Sequence, residues 1–309
     1  MKKKAAIFCS HGLGDGLIFL MIANNLKLNG FDVCVYHNFL KSLKSFVKNY
    51  EIKKFPKKEE VENILKDFDF FIVNSDYSDI NIKIKKCLNK DFSKKKWILH
   101  ATTSKGKNLP GDIKFDIKKT ILENLKSFCR DKLNIKNPIK ENNLFKRENL
   151  IYRKYKRIVI HPSAKNENRR WGQKRFLKLS KKLENLGYSV FFLLTKEEKK
   201  SWENVDCKIV SFESLEDVAS YVYESSFVIG NNSGIGHLAS SLKIPTFIIF
   251  ASKREKLFWR PDFFMCSGVC PLSFLPNIKN MRLNRKYWKN LIFVSRAFKK
   301  FKKFEKRFL

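Results

Sequence analysis

Ser225–Phe250 reads SSFVIGNNSGIGHLASSLKIPTFIIF, and this stretch decides the fold class. Phe227–Ile229 is a short apolar run and Asn231–Gly236 is a polar, glycine-bearing turn. Gly236–Leu242 has helical spacing, and Thr246–Phe250 is apolar enough to be buried on both faces. Strand, turn, helix and buried strand in succession are the building unit of a parallel α/β sheet. The turn in such a unit lies at the carboxyl end of its strand, where the following helix offers free N–H groups and a partial positive charge. That is an anion site, and phosphate suits it best. His237, in the first turn of the helix, adds a donor or a proton to the same anion, unless it is simply a core histidine.

Two other segments repeat the pattern. Ile158–Trp171, IVIHPSAKNENRRW, is a strand ending at His161, a polar loop, and the approach to a helix from about Gln173 to Leu186. Taken alone, Arg169 and Arg170 read as a solvated basic pair, the default for adjacent arginines. His161 reads as structural, and Trp171 reads as a packing anchor. Ala5–Leu20, AAIFCSHGLGDGLIFL, is an apolar strand opening into a turn with glycines at 12, 14 and 16. The spacing falls short of the dinucleotide fingerprint. Asp15 in this turn is either the N-cap of the next helix or a carboxylate that serves a ligand.

Strand-like runs at Ala5–Cys9, Asp32–Tyr36, Phe68–Val73 and Trp97–His100 alternate with helical ones in the first half. The second half continues with Ile158–His161, Ser189–Leu194, Lys208–Val210, Phe227–Ile229 and Thr246–Phe250. A chain of 309 residues with 43% hydrophobic content and 29 phenylalanines is large enough for two filled cores. The polar stretch Asn134–Lys156 is the linker between them. The expected organisation is a first domain over 1–150, a second over 151–283 and a basic amphipathic C-terminal helix over 284–309. Ligands then bind at the strand carboxyl ends.

The three turn segments together resemble glycosyltransferase family 9, the heptosyltransferase-like enzymes. Gly230, Asn231, Ser233, Gly234, His237, Leu238 and Ala239 match that family's Gly-Asn-Asp-Ser-Gly-x-x-His-Leu-Ala run, with Asn232 in place of the usual Asp. The resemblance covers the first thirty residues and about 157–262, and is thin between them. It implies an α/β protein of two Rossmann-like, doubly wound domains facing a cleft (GT-B), the first taking the acceptor and the second the nucleotide-sugar donor. It implies that Asp15, with Gly14 beside it, is the general base for the acceptor hydroxyl. Ser163, Arg169, Ser233, Gly234 and His237 would hold the donor diphosphate, with Asn232 near the sugar or ribose and Glu213 approaching the nucleotide. It implies an inverting displacement, and the best-known members suggest ADP-heptose as donor. Transfer without a metal is expected, since none of the three turn segments carries an Asp-x-Asp clamp, and no cofactor is expected.

The 64 Lys and Arg residues against 30 Asp and Glu give a formal charge of +34, which favours polyanions: an anionic membrane surface, nucleic acid, or neither if the excess reflects lysine-rich coding. Arg285–Leu309, RKYWKNLIFVSRAFKKFKKFEKRFL, spaces Trp288, Leu291, Val294, Phe298, Phe301, Phe304 and Phe308 at helical steps, with lysines between them. That stripe either lies on anionic lipid or, as the family's architecture implies, crosses back and packs on the first domain. By the same resemblance His100–Gly111, with Lys105 and Lys107, is either the lining for an anionic, lipid-linked glycan acceptor or a solvated loop. No signal-peptide pattern and no membrane-spanning apolar run are visible, so a cytoplasmic protein, peripheral at the inner membrane face, is expected. Seven scattered cysteines give no disulfide framework, and Cys266 and Cys270 lack the partners of a zinc site. Two alternatives stay open: a protein that binds a nucleotide sugar without transferring it, because Asn232 cannot carry charge, and a basic nucleic-acid-binding protein, against which stands the absence of a nucleic-acid motif.

Overall fold

The computed structural model describes residues 2–47, 49–90, 95–100, 112–145, 148–272 and 287–308. The chain divides into two compact units, Met1–Phe145 and Lys146–Leu309. The candidate acceptor lining at 101–111 lies outside the described residues.

The first unit runs β1 (Lys4–Phe8), α1 (Leu13–Leu28), β2 (Asp32–Tyr36), β3 (Glu51–Lys53), α2 (Val61–Ile64), β4 (Phe70–Asn74), α3 (Asp79–Lys90), β5 (Lys95–His100), β6 (Asp112–Lys114) and α4 (Ile121–Asp131). Its strands form one parallel sheet in the order β3-β2-β1-β4-β5-β6. β1 and β4 are buried along almost their whole length, which is why they read as continuous apolar runs rather than alternating ones. β3 and β6 are three-residue strands toward the two edges with half-exposed patterns, and no apolar run announced them.

The second unit runs β7 (Tyr155–His161), α5 (Gln173–Glu184), β8 (Ser189–Leu193), α6 (Lys196–Lys199), β9 (Ile209–Val210), α7 (Leu215–Tyr223), β10 (Ser225–Asn231), α8 (Gly234–Ser241), β11 (Thr246–Ile249), α9 (Lys253–Phe258), β12 (Cys266–Val269) and α10 (Val294–Glu305). Its parallel sheet has the order β12-β11-β10-β7-β8-β9. β12, with the sequence CSGV, was not foreseen from the sequence. Gly268 in it exists because a Cβ there would stand 2.0 Å from the Ile248 carbonyl oxygen.

Two expectations are corrected. Two parts of the supposed linker are bound structure. Asn25 donates to the Ile139 carbonyl and accepts the Ile139 N–H, both at 2.8 Å. Asn24 donates to the Glu141 carbonyl, and Asn142 to that of Leu17. These buried amides on and against α1 satisfy a non-helical strand of backbone, so 139–142 belongs to the first unit's packing. Tyr155 and Lys156, at the other end of the linker, already lie in β7.

The C-terminal stripe is likewise not one helix. A 3₁₀ turn at Trp288–Leu291 and an extended step through Ile292 and Phe293 precede α10. Phe301 and Phe304 are buried against Phe227 and Phe247 of the second unit's own sheet, with ring centroids 5.3 to 6.4 Å apart. The apolar face, expected on lipid or on the first domain, is instead part of the second unit's core, and the lysines of the other face are what solvent meets.

Candidate functional site

In each sheet the first strand lies centrally, and the chain leaves it to opposite sides in its later crossovers: β1 between β2 and β4, β7 between β8 and β10. Loops after those adjacent strands splay apart at their carboxyl ends and leave room for a ligand. The sequence-predicted residues fall at these two places, one in each unit.

In the second unit the loop after β7 and the turn after β10 are tied together by Asn231, the last residue of β10, which is 1% exposed. Its side-chain oxygen accepts the Trp171 N–H at 3.0 Å, and its amide donates to the Pro162 carbonyl. One buried side chain thus holds both ends of the 162–171 loop. Gly230 beside it has no room for a Cβ, which would stand 2.4 Å from the His161 carbonyl oxygen. Asn231 lies within the motif, where the sequence alone gives it no task. Its task is to fix the loop.

The loop has an outer latch as well. The Trp288 indole donates to the Asn168 carbonyl at 2.7 Å, and the fully buried Trp171 indole donates to that of Ile292 at 3.2 Å. Trp171 is therefore the packing anchor the sequence suggested. His161 bonds the Leu193 carbonyl at 3.0 Å, and burial lowers its pKa, so it is structural too.

The arginine pair divides. Arg170 donates to the Ala164 carbonyl and pairs with Glu167, bracing its own loop. Arg169 is exposed, closes a short 3₁₀ turn, and has no ion-pair partner among the described residues, which leaves its fork open to an external anion. Ser163 is buried in the same loop.

Across from it, Ser233 is the N-cap residue of α8 and Gly234 its first helical residue. The Ser233 side chain makes no capping bond, and its Oγ is a buried polar atom without a partner. His237 Nδ1 in the first turn is in the same condition. Burial brings the His237 pKa down to about 4, so the ring is neutral at pH 7. Buried hydroxyls and imidazoles are ordinarily paired. Two orphans on the first turn of one helix, whose N–H groups are themselves unsatisfied, make a receptor for an anionic oxygen. Asn232 donates to a Glu255 carboxylate oxygen at 3.0 Å. Glu213, just before the Ser214 cap of α7, is exposed and paired with Lys196.

In the first unit, Gly12 is the N-cap residue of α1, with Gly14 and Asp15 in the first turn. Asp15 is therefore not the cap, and its carboxylate faces the positive end of the helix. It folds back so closely that a Cβ on Gly12 would lie 2.5 Å from Oδ2. Burial and the nearby Asp15 charge push the Cys9 thiol well above its usual range.

The turn rests on a residue the sequence reading missed, His37, fully buried just after β2. Its Nδ1 accepts the Leu40 N–H at 3.1 Å, so the proton sits on Nε2, which donates to the Gly12 carbonyl at 3.1 Å. Burial lowers its pKa to about 4. Gly16 is required because a Cβ there would stand 2.9 Å from the imidazole. A lone histidine after a strand carries no sequence signal of this task. Beside β1 at the same switch point, the loop after β4 adds the exposed Tyr77, with Asp76 bonded to Ser78 and Lys85.

Residues 125–262 match the model of glycosyltransferase family 9 (heptosyltransferase). Solved structures share the fold over the whole chain. Escherichia coli ADP-heptose lipopolysaccharide heptosyltransferase II superposes with a TM-score of 0.72 at 14% identity, covering 99% of each chain. A family 9 glycosyl transferase from Veillonella parvula gives 0.71 at 12% identity, covering 98% of this chain and 97% of that one. Escherichia coli heptosyltransferase WaaC, solved with ADP, gives 0.68 at 13% identity, covering 98% and 99%. No curated protein matches the chain in sequence.

Fold and matched segment define this protein as a glycosyltransferase of the GT-B class. Its recognisable segment is that of family 9, as the motifs at 158–171 and 225–250 indicated, and its structural neighbours include heptosyltransferases.

Proposed function

We propose that the protein transfers a sugar, a heptose foremost, from a nucleotide-sugar donor to a lipid-linked surface-glycan acceptor, with inversion at the anomeric carbon. The observation that carries this reading is the pair of unpartnered buried atoms, Ser233 Oγ and His237 Nδ1, on the first turn of α8. The donor diphosphate lies there, held by those two groups, by the Gly234 end of the helix, and by Ser163 and Arg169 from the 162–171 loop. Arg suits phosphate through its planar fork. The ADP-bound state of the structurally similar WaaC supports an adenine nucleotide, and Glu213 approaches the base or ribose on release from Lys196.

In the reaction the acceptor oxygen bonds to the anomeric carbon as the bond from that carbon to the diphosphate oxygen breaks. Asp15, beside Gly14, takes the acceptor proton, and the nucleoside diphosphate leaves with its charge met by Arg169 and the α8 dipole. No metal is assigned to this step. Asp15→Asn retains donor binding and lowers kcat by about 10²–10⁴-fold. Unchanged turnover in that variant removes Asp15 from the base role.

The second partner is an anionic membrane surface, met at the cytoplasmic face. α5 and α10 pack against each other. They expose Lys174, Lys178, Lys181 and Lys182 on one helix and Lys299, Lys302, Lys303 and Lys306 on the other. With the phenylalanines in the core, attachment is electrostatic rather than by insertion. Among the described residues no helix is long and apolar enough to cross a membrane. Sedimentation with phosphatidylserine vesicles is expected to fail above about 0.5 M salt, where the Debye length falls to a few ångströms. Salt-resistant binding speaks for insertion instead.

A further inference from the structure

We infer that Glu255 is a positioning residue of the donor site, acting through Asn232, so that the two side chains work as a single unit bearing one negative charge. This deepens the donor reading above and rests on it. Glu255 sits in the first turn of α9, where its N–H is bonded to the Ser252 cap at 3.0 Å. Both of its carboxylate oxygens are engaged: one accepts the Ala251 N–H at 2.7 Å, the other accepts the Asn232 amide at 3.0 Å. A side chain fixed at both oxygens has little rotamer freedom, so it dictates how its neighbour sits.

The consequence for Asn232 is chemical. A carboxylate only accepts hydrogen bonds, so the amide nitrogen of Asn232 must face Glu255, and the amide oxygen is the end turned away. Asn232 immediately precedes Ser233 at the first turn of α8. It therefore presents an acceptor of fixed orientation to a hydroxyl of the ligand held there, on the donor sugar or on the ribose. The family's usual Asp at this place offers an acceptor by carrying charge itself. Here an Asp would set two carboxylates about 3 Å apart, an arrangement that forces one to hold a proton. Charge and acceptor have been divided between two residues, and the departure at 232 is matched by what stands at 255.

Each single exchange breaks the division, and the double exchange restores it. In Glu255→Gln the Ala251 N–H claims the side-chain oxygen, so the new amide faces Asn232, which turns its own oxygen toward it and loses the outward acceptor. In Asn232→Asp two carboxylates face each other. In the double variant the Gln amide donates to the new carboxylate, whose second oxygen remains available to the ligand.

The test is calorimetric binding of ADP-heptose and of ADP to the full chain and these three variants, with thermal melts to establish that each is folded. Each single variant is expected to bind ADP-heptose about tenfold more weakly, and the double variant to return within about threefold of wild type, as a hydrogen bond to a charged group and its reinstatement require. Loss for ADP-heptose alone puts the hydroxyl on the sugar, and loss for both ligands puts it on the ribose. Variants that bind as wild type, or a double variant whose loss is the product of the two single losses, overturn the pairing. Wild-type protein that binds neither ligand overturns the donor reading itself.

Discussion

Asn231→Ala isolates the residue that joins the two loops of the second unit. The side chain is buried and spans the Trp171 N–H and the Pro162 carbonyl. Alanine leaves both backbone groups inside the protein without partners. An orphaned buried donor or acceptor costs about 1–3 kcal/mol, so two together cost about 2–4 kcal/mol when partial relaxation is allowed. The Trp171 ring stays in place through its bond to Ile292 and its edge-on contact with Phe176, centroids 5.1 Å apart. The damage therefore falls on the loop backbone rather than on the core. Urea unfolding monitored by tryptophan fluorescence measures the stability loss, and calorimetry with ADP measures a loss of affinity of the order of tenfold or more as the loop loses its fixed position. Asn231→Asp keeps the acceptor for Trp171 but turns a buried carboxylate on the Pro162 carbonyl, and is expected to be at least as damaging. An alanine variant within about 0.5 kcal/mol of wild type with unchanged ADP binding refutes the clamp, since surface-like substitutions behave that way.

Other outcomes follow from the same geometry. Arg169→Ala should leave stability unchanged while weakening ADP binding by about 1.5–3 kcal/mol, whereas Arg170→Ala, which removes the bond to Ala164, should lower stability as well; a thermal melt beside each titration separates the two. His37 and His237 are both held to pKa values of about 4 by burial, against an ordinary value of 6.5. The unfolded chain takes up protons that the folded chain refuses, so stability is full above pH 6.5 and falls as pH drops toward 4, by up to about 1.4 kcal/mol per histidine per pH unit. His237→Gln should flatten that slope in denaturant titrations across the window. Phe301→Ala should cost about 3–5 kcal/mol as a core truncation, and a loss of vesicle binding with unchanged stability would instead restore the lipid-facing reading.

Much of this was legible before any fold was known, because buried parallel strands must be apolar throughout and the turns between them must carry polar and glycine residues. The central strands β1, β4, β7, β10 and β11 announced themselves in that way, and with them the turns bearing Asp15, Arg169, Ser233 and His237. The strands β3 and β6 did not, since a three-residue, half-exposed strand has no pattern to detect. The C-terminal stripe shows the limit most clearly. Its spacing fixed an apolar face, but lipid and a protein core attract such a face equally, and only the placement of Phe227 and Phe247 decided between them.

The tasks of single polar residues were decided by tertiary structure alone. Asn231, His37 and Glu255 are ordinary letters in the sequence, and each acquires its role from a partner far along the chain: Trp171, Gly12 and Asn232 respectively. Local sequence determines which segments are strand, turn or helix, because propensity and burial pattern act over a few residues. It cannot determine which buried polar atom meets which, because hydrogen bonds are satisfied only after the sheets have brought distant loops together.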